Sequence, residues 1–397
     1  MRFCKNCVMP DTRPDLEFDE EGICYACRAA DEKFGRNAKQ IDWEARKREF
    51  EEMIEFYRDE DETKYDCIVP VSGGKDSTFQ VYTAMETFGL KCLCVCFEPT
   101  LPTEIGRHNL ENLNKMGVDL IHFKRNPIVY EKLIVECFKR VGDMEWPNHQ
   151  GIWVLPFHFA IAFDIPMIIW GENEAEFSGT YRVSERNLKE FDDEWWDEFG
   201  GLNGLRPEDM VSEDLGISLS DMAPYLAPSK QRLASVRGNK GCVGAWLGYY
   251  VPWDSRAQVD LIEEKSDWRR APGRVELTYN DFENLDCLSM NLHDYLKYCK
   301  FGFGRATDDA CRDLRHGYIE RDEAVRLAER YDGVYPKYAV DAFCRHFDMP
   351  KSEFDEICDG FTNPAIFEMR NGKFLRDIDG SLVMKPELFG SRRQPDG

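Results

Sequence analysis

Residues Ser72-Gly73-Gly74-Lys75-Asp76-Ser77 follow directly on Asp66-Cys67-Ile68-Val69-Pro70-Val71, a short apolar run. Such a run reads as a buried strand, and the stretch from about 75 to 88 reads as a helix. A strand that re-enters as a helix through Gly-Gly confines the chain to α/β architectures in which the junction faces an anion. Gly73 and Gly74 let backbone N–H groups turn toward it, and Ser72 and Ser77 add hydroxyl donors at the helix mouth. The expected ligand is a phosphate. The Walker pattern requires a glycine five residues before the one that precedes the lysine, and Val69 stands there, so this is a phosphate loop of another kind.

The surrounding texture agrees. Strand candidates 66–71, 90–97, 118–123 and 165–170 alternate with helical stretches near 75–88, 104–116, 128–141 and 150–163, which predicts a parallel sheet covered by helices. Ligands of such sheets sit at the carboxyl ends of the strands. The Ser72 loop, Phe97-Glu98-Pro99 and Trp170-Gly171-Glu172-Asn173 should therefore line one crevice. Cys92, Cys94 and Cys96 alternate along one strand, and we read them as small buried hydrophobes.

Ahead of this domain, Cys4-Lys5-Asn6-Cys7 and Cys24-Tyr25-Ala26-Cys27 form two C-x-x-C pairs at the spacing of a four-cysteine zinc site, with Gly22 suited to the turn before the second. Four protein ligands leave no open position, so the site is structural. Residues 41–58 carry apolar residues at helical spacing and read as an amphipathic connector. The predicted organisation is a zinc-knuckle segment at 1–40, an α/β domain at 41–260 interrupted by a loop-rich insertion at about 174–248, and a mostly helical region at 261–397. A chain of 397 residues exceeds one ordinary core. No run has the length of a membrane span and the N-terminus lacks a signal-peptide stretch, so a cytoplasmic location is expected, with the 15 cysteines as thiols or ligands. A net charge of −23 argues against a broad nucleic-acid surface.

Two segments carry further signals. Phe191 to Phe199 is acidic and aromatic; as a loop-rich excursion at the crevice mouth it reads either as a substrate lid or as a partner-docking or solvated acidic surface, and Tyr249 to Asp254 then resumes as an aromatic-rich strand. Farther on, Lys297, Lys300 and Arg305 flank Gly302 and Gly304, with Thr307 or Asp308 placed to cap the next helix and Asp332-Gly333 as a helix stop. Such cations suit an anionic substrate.

Ser-Gly-Gly-x-Asp-Ser resembles the PP-loop of the ATP pyrophosphatase (adenine nucleotide alpha hydrolase-like) superfamily. In order along the chain, the two C-x-x-C pairs, SGGKDS, the Gly171-Glu172-Asn173 turn, YVPWD, and KFGFGRATDD followed by Arg315, Gly317, Arg321, Glu323 and Ala324 resemble the N-acetyl sugar amidotransferases of bacterial surface-polysaccharide and nonulosonic-acid pathways, from about residue 1 to about 370. The resemblance implies a cytoplasmic enzyme that uses ATP, Mg²⁺ and Zn²⁺. It adenylates an acetamido oxygen on a sugar, which is free, acidic or nucleotide-linked, and forms an acetamidino group from ammonia, releasing AMP and pyrophosphate. It implies ATP binding by Ser72, Gly73, Gly74, Lys75, Asp76, Ser77, Gly171, Glu172 and Asn173. Catalytic roles fall to Asp76, Lys75, Lys300 and Arg305, and magnesium to Asp76 and Glu172, with Glu174 as second choice.

Ammonia needs a source. Arg2 stands where an N-terminal-nucleophile glutaminase needs cysteine, and Lys240 stands where a G-x-C-x-G elbow at Cys242 would need glycine. The resemblance therefore implies a separate glutaminase subunit, with a cyclase-like subunit as a possible ammonia channel. The competing resemblance is to tRNA-thiolating PP-loop enzymes, which want further catalytic cysteines, whereas no C-x-x-C follows Cys27. A non-catalytic ATP-binding scaffold is the remaining alternative.

Overall fold

The computed structural model describes residues 1–34, 41–59, 61–173, 189–191, 196 and 201–393. Its centre is a five-stranded parallel sheet: β1 (Cys67–Pro70), β2 (Cys92–Phe97), β3 (Asp119–Phe123), β4 (Met167–Trp170) and β5 (Val243–Trp246), in spatial order β3-β2-β1-β4-β5. The period of two along each strand divides the core cleanly. Ile68, Leu93, Val95, Phe97, Ile168 and Trp170 point to one face, against helices Pro127–Val141 and Trp146–Phe163. Cys67, Val69, Cys92, Cys94, Cys96, Met167 and Ile169 point to the other, with Phe50, Val81, Leu110 and Leu113 from helices Trp43–Tyr57, Lys75–Tyr82 and Glu104–Lys115. The three cysteines of β2 are buried in this layer; burial raises the Cys94 thiol and pushes Cys96 up to about 12, which keeps them neutral packing groups.

From β1 the chain winds one way through β2 and β3, then crosses to β4 on the other side of β1. The loops after β1 and β4 thus flank the point where strand order reverses, the usual place for a ligand crevice.

Several expectations need correction. The strand expected at Tyr249 to Asp254 is absent; Leu247–Tyr250 is a short helix, and the strand lies earlier, at β5, inside the span read as insertion. Lys189 to Phe191 runs beside β5, with Phe191 N–H donating to Gly244 O at 2.7 Å, while residues 201–240 bury Leu202, Met210, Ile217, Met222 and Tyr225 in the core. Glu174, 174–188 and most of the acidic aromatic stretch (192–195, 197–200) lie outside the described residues. The helix expected over 75–88 changes to a π-helical turn at Thr83–Thr87.

The C-terminal region is mostly helical: Ser289–Phe301, Arg305–Arg315, Arg321–Tyr331, Lys337–His346 and Lys351–Phe361, followed by a two-stranded hairpin at Met369–Arg370 and Lys373–Phe374. Gly302, at φ +73°, ends the first helix, and Gly304 caps the second; Thr307 and Asp308 lie inside its first turn and do not cap it. Thr307 Oγ1 instead donates to Asp332 Oδ2 at 2.5 Å. The cysteine knuckle packs on these helices through Val8, Met9, Phe303, Ala310, Cys311, Ala324 and Val325. Arg13 pairs with Asp308 at 3.3 Å, and Thr12 Oγ1 donates to Phe301 O. No helix among the described residues is long and apolar enough to cross a membrane.

Candidate functional site

A cleft of about 400 Å³ opens at the carboxyl ends of the strands. Ser72, Gly74, Lys75, Asp76 and Ser77 line it, with Phe97 and Pro99 after β2 and Gly171 and Glu172 after β4. Gly73 lies just behind. Its φ is +87°, its carbonyl accepts from Trp268 Nε1 at 3.0 Å, and a Cβ there would stand 2.7 Å from Leu110 N and 2.9 Å from Gly106 O. Only glycine lets the loop lie this close to helix Glu104–Lys115. The loop is further knitted by Gly74 N–H to Ser72 Oγ at 3.3 Å and Ser77 Oγ to Gly74 O at 3.2 Å. Asn173 is buried and is not on the cleft wall.

The lysine of the loop is fixed by opposite charge. Lys75 Nζ is 2.8 Å from Asp76 Oδ2 and 2.9 Å from Glu283 Oε1. Burial alone would lower its pKa, but Asp76 and Glu283 outweigh that and hold it charged. Asp76 itself remains 45% exposed, so its carboxylate can still serve a ligand. Glu283 also faces Arg312 at 3.4 Å, and despite burial its pKa is lowered by Lys75 and Arg312.

The cleft therefore has a second wall, supplied by Phe282, Glu283, Asn284, Asp286, Arg305 and Arg312, all beyond residue 261. The segment read as a separate helical region completes the crevice. Arg305 lines it, anchored by Asp294 at 3.0 Å. Lys300 does not: its ammonium donates to Val141 O at 2.8 Å beside the Phe361 ring. The two cations sit on either side of the Gly302 turn and face different surroundings. Sequence reasoning missed Glu283, Asp286 and Arg312, as well as Asn148, His149, Trp153 and Trp246, which also line the cleft. Asn148, His149 and Trp153 reach the cleft from the first two turns of helix Trp146–Phe163, and the others reach it through tertiary packing that no local sequence signal marks.

Asp76 and Glu172 give the oxygen donors that magnesium prefers. Among the described residues no cage of three carboxylates is preassembled there, as fits an ion held by one or two carboxylates together with phosphate oxygens and water. The cysteine site differs. The Sγ atoms of Cys4, Cys7, Cys24 and Cys27 are buried and lie within 4.8 Å of one another. Tetrahedral Zn–S bonds of ~2.3 Å imply S···S edges of ~3.8 Å, and Cys7 Sγ and Cys24 Sγ are 3.8 Å apart. Arg315 donates to Cys27 Sγ at 3.5 Å, and Cys24 N–H donates to Cys4 Sγ at 3.3 Å, so the donor set suits a closed zinc site with its excess negative charge partly met.

Residues 276–379, which include the second wall of the cleft up to Arg312, match the family model described as LPS biosynthesis protein WbpG-like, C-terminal domain. That is about a quarter of the chain and is what this segment is similar to. A search of curated proteins found no match. Among solved structures, NMN synthetase from Francisella tularensis aligns with 12% identity over 57% of this chain and 94% of that one, at a TM-score of 0.27; so low a score carries no argument.

Proposed function

We propose that this protein is an ATP-dependent amidotransferase of surface-polysaccharide synthesis, which converts the acetamido group of a sugar to an acetamidino group. The observation that carries the reading is the SGGKDS loop at the switch point of a parallel sheet, facing a wall that belongs to the WbpG-like segment. An amide carbonyl is a poor electrophile and its oxygen a poor leaving group. Transfer of AMP to that oxygen solves both problems, provided the triphosphate is held so that the α-phosphorus meets it.

In this reading the N–H groups and hydroxyls of Ser72, Gly74 and Ser77 hold phosphate oxygens. Lys75, Arg305 and Arg312 offset the charge that develops on leaving pyrophosphate. Asp76 and Glu172 would hold magnesium, which supplies further charge neutralisation at the phosphates. Trp153, Trp170 and Trp246 give an aromatic surface in the same cleft, suited to a sugar face or a base. Nitrogen comes from ammonia delivered by a separate glutaminase subunit, with or without a channel subunit. The described residues favour this over tRNA thiolation, because Cys67, Cys92, Cys94 and Cys96 are core residues and none of them lines the cleft.

The test is incubation of UDP- and CMP-linked N-acetyl sugars with protein, ATP, Mg²⁺ and ammonium, followed by mass spectrometry. The expected product is lighter by about one mass unit, since NH replaces O, and carries a basic group; AMP and pyrophosphate accumulate with it. Asp76→Ala should abolish sugar-dependent pyrophosphate release. ADP and phosphate as the main nucleotide products would refute the reading.

A further inference from the structure

A compact acid–base cluster meets the cleft at the first turn of helix Trp146–Phe163. His149 lines the cleft, and among the described residues its ring makes no hydrogen bond. The ring packs edge-on against His293, with centroids 5.3 Å apart and planes at 89°. His293 Nδ1 is 2.9 Å from Asp143 Oδ1. Asp143 is in turn fixed by the Glu145 N–H at 2.9 Å and by Asn203 Nδ2 at 2.9 Å. Behind them Glu145 is fully buried; its Oε2 accepts from Asn148 Nδ2 at 2.8 Å, and its Oε1 has no partner among the described residues.

Electrostatics divides the two imidazoles. Burial lowers His293 and Lys297 acts in the same direction, but Asp143 at hydrogen-bond distance, with Asp294 beside it, outweighs them and the net shift is upward. His149 is lowered, first by burial and then by His293; Asp143, Glu145 and Asp294 act in the opposite direction and do not reverse it. The two shifts favour protonation of the inner histidine over the outer one. The outer one faces the cleft with nitrogen lone-pair capacity.

We propose that His149 is the general base of the nitrogen-transfer step, with His293 and Asp143 as positioning residues. This rests on the reaction assigned above. Ammonia attacks the adenylated carbon and a C–N bond forms; one proton leaves the new N–H for His149; the C–O bond to the adenylate then breaks, and AMP departs carrying the former amide oxygen. The balance is one amidine, AMP, pyrophosphate and a proton, with no redox partner required. His149 is needed only after adenylation, so the two half-reactions separate its role from that of the phosphate loop.

The experiment measures sugar-dependent ATP–pyrophosphate exchange without ammonia, and amidine formation at fixed unprotonated ammonia over roughly pH 6 to 9, around the ordinary histidine pKa of ~6.5. His149→Gln should keep exchange within about twofold and lose amidine formation by about 10²- to 10⁴-fold, together with the acidic limb of the kcat profile. Asp143→Asn should move that limb. Should His149→Gln fail to fold, His149→Ala with added imidazole serves instead, and partial restoration of amidine formation is expected. An unchanged rate and profile overturns the base assignment alone, as does a parallel fall in exchange and amidine formation. ADP as the wild-type product overturns both the reaction and the base.

Discussion

Substituting alanine at Gly73 and, separately, at Gly74 separates backbone demand from ligand contact. Gly73 has φ +87° and its Cβ position lies 2.7 Å from Leu110 N and 2.9 Å from Gly106 O, both backbone atoms that cannot rotate away. A left-handed non-glycine residue costs ~1–2 kcal/mol. Forcing a methyl into a filled interface costs about 1–3 kcal/mol more. The lower chain entropy of unfolded alanine offsets ~0.4–1 kcal/mol. The expected net loss for Gly73→Ala is about 1–5 kcal/mol, centred on ~3 kcal/mol, a large share of an ordinary total of ~5–15 kcal/mol. Gly74 has φ −69° and ψ 169°, with only Ser72 Oγ at 3.3 Å from its Cβ position. Gly74→Ala should stay within about 1 kcal/mol of wild type yet weaken nucleotide binding, because its backbone lines the cleft. Urea unfolding at matched slope measures the difference. If the two variants differ by less than about 1 kcal/mol, the packing argument for the loop fails.

Purified protein should carry about one zinc per chain, and Cys24→Ser should lose the metal and loosen the C-terminal helices on which the knuckle packs; unchanged metal content or melting would reject the site. For the Asp143–His293 pair, the raised histidine contributes stability below ~6.5 that is lost as pH rises through its folded value, and the lowered carboxyl contributes above ~3.9 and is lost as pH falls through its folded value. The stability deficit of Asp143→Asn should accordingly be larger near ~pH 5 than above ~pH 8, and histidine NMR should show His293 titrating lower; an equal deficit at both would count against the charged pair. Burial pushes the Cys242 thiol up to about 12, which makes it a poor nucleophile. The isolated chain should use ammonium and not glutamine, and Cys242→Ala should leave ammonium-dependent turnover intact; glutamine hydrolysis by the single chain, abolished by that substitution, would overturn the separate-glutaminase proposal.

The sheet was legible wherever its signal was local. β1 to β4 are apolar runs joined by helices of ordinary length, and SGGKDS declares its own backbone. The cysteine knuckle was equally plain, because ligand spacing is written in the sequence. β5 was not, since Val243-Gly244-Ala245-Trp246 is only four residues with a glycine inside, far along the chain from its neighbour β4. The nearby aromatic run 249–254 looked more strand-like and took its place in the reading. Glu283 and Asp286 sit in irregular backbone between helices, and Arg312 on a helix face, so only tertiary packing brings them to the SGGKDS loop. Lys300 and Arg305 are close in sequence, but a helix end and a left-handed glycine intervene and set them in different directions.

The seating of the cysteine knuckle on helices that end near residue 331 bears on how the chain is made. Phe3, Val8 and Met9 emerge early, but the surface that covers Val8 and Met9 includes Ala324 and Val325. At ~5–20 residues per second, roughly 15–60 s of translation separate the two. Through that interval the four thiols can wrap a metal by themselves, while their apolar flank stays uncovered and exposed to the chaperones of the cell. The apolar flank of the knuckle is thus sheltered only after some three hundred further residues have been added.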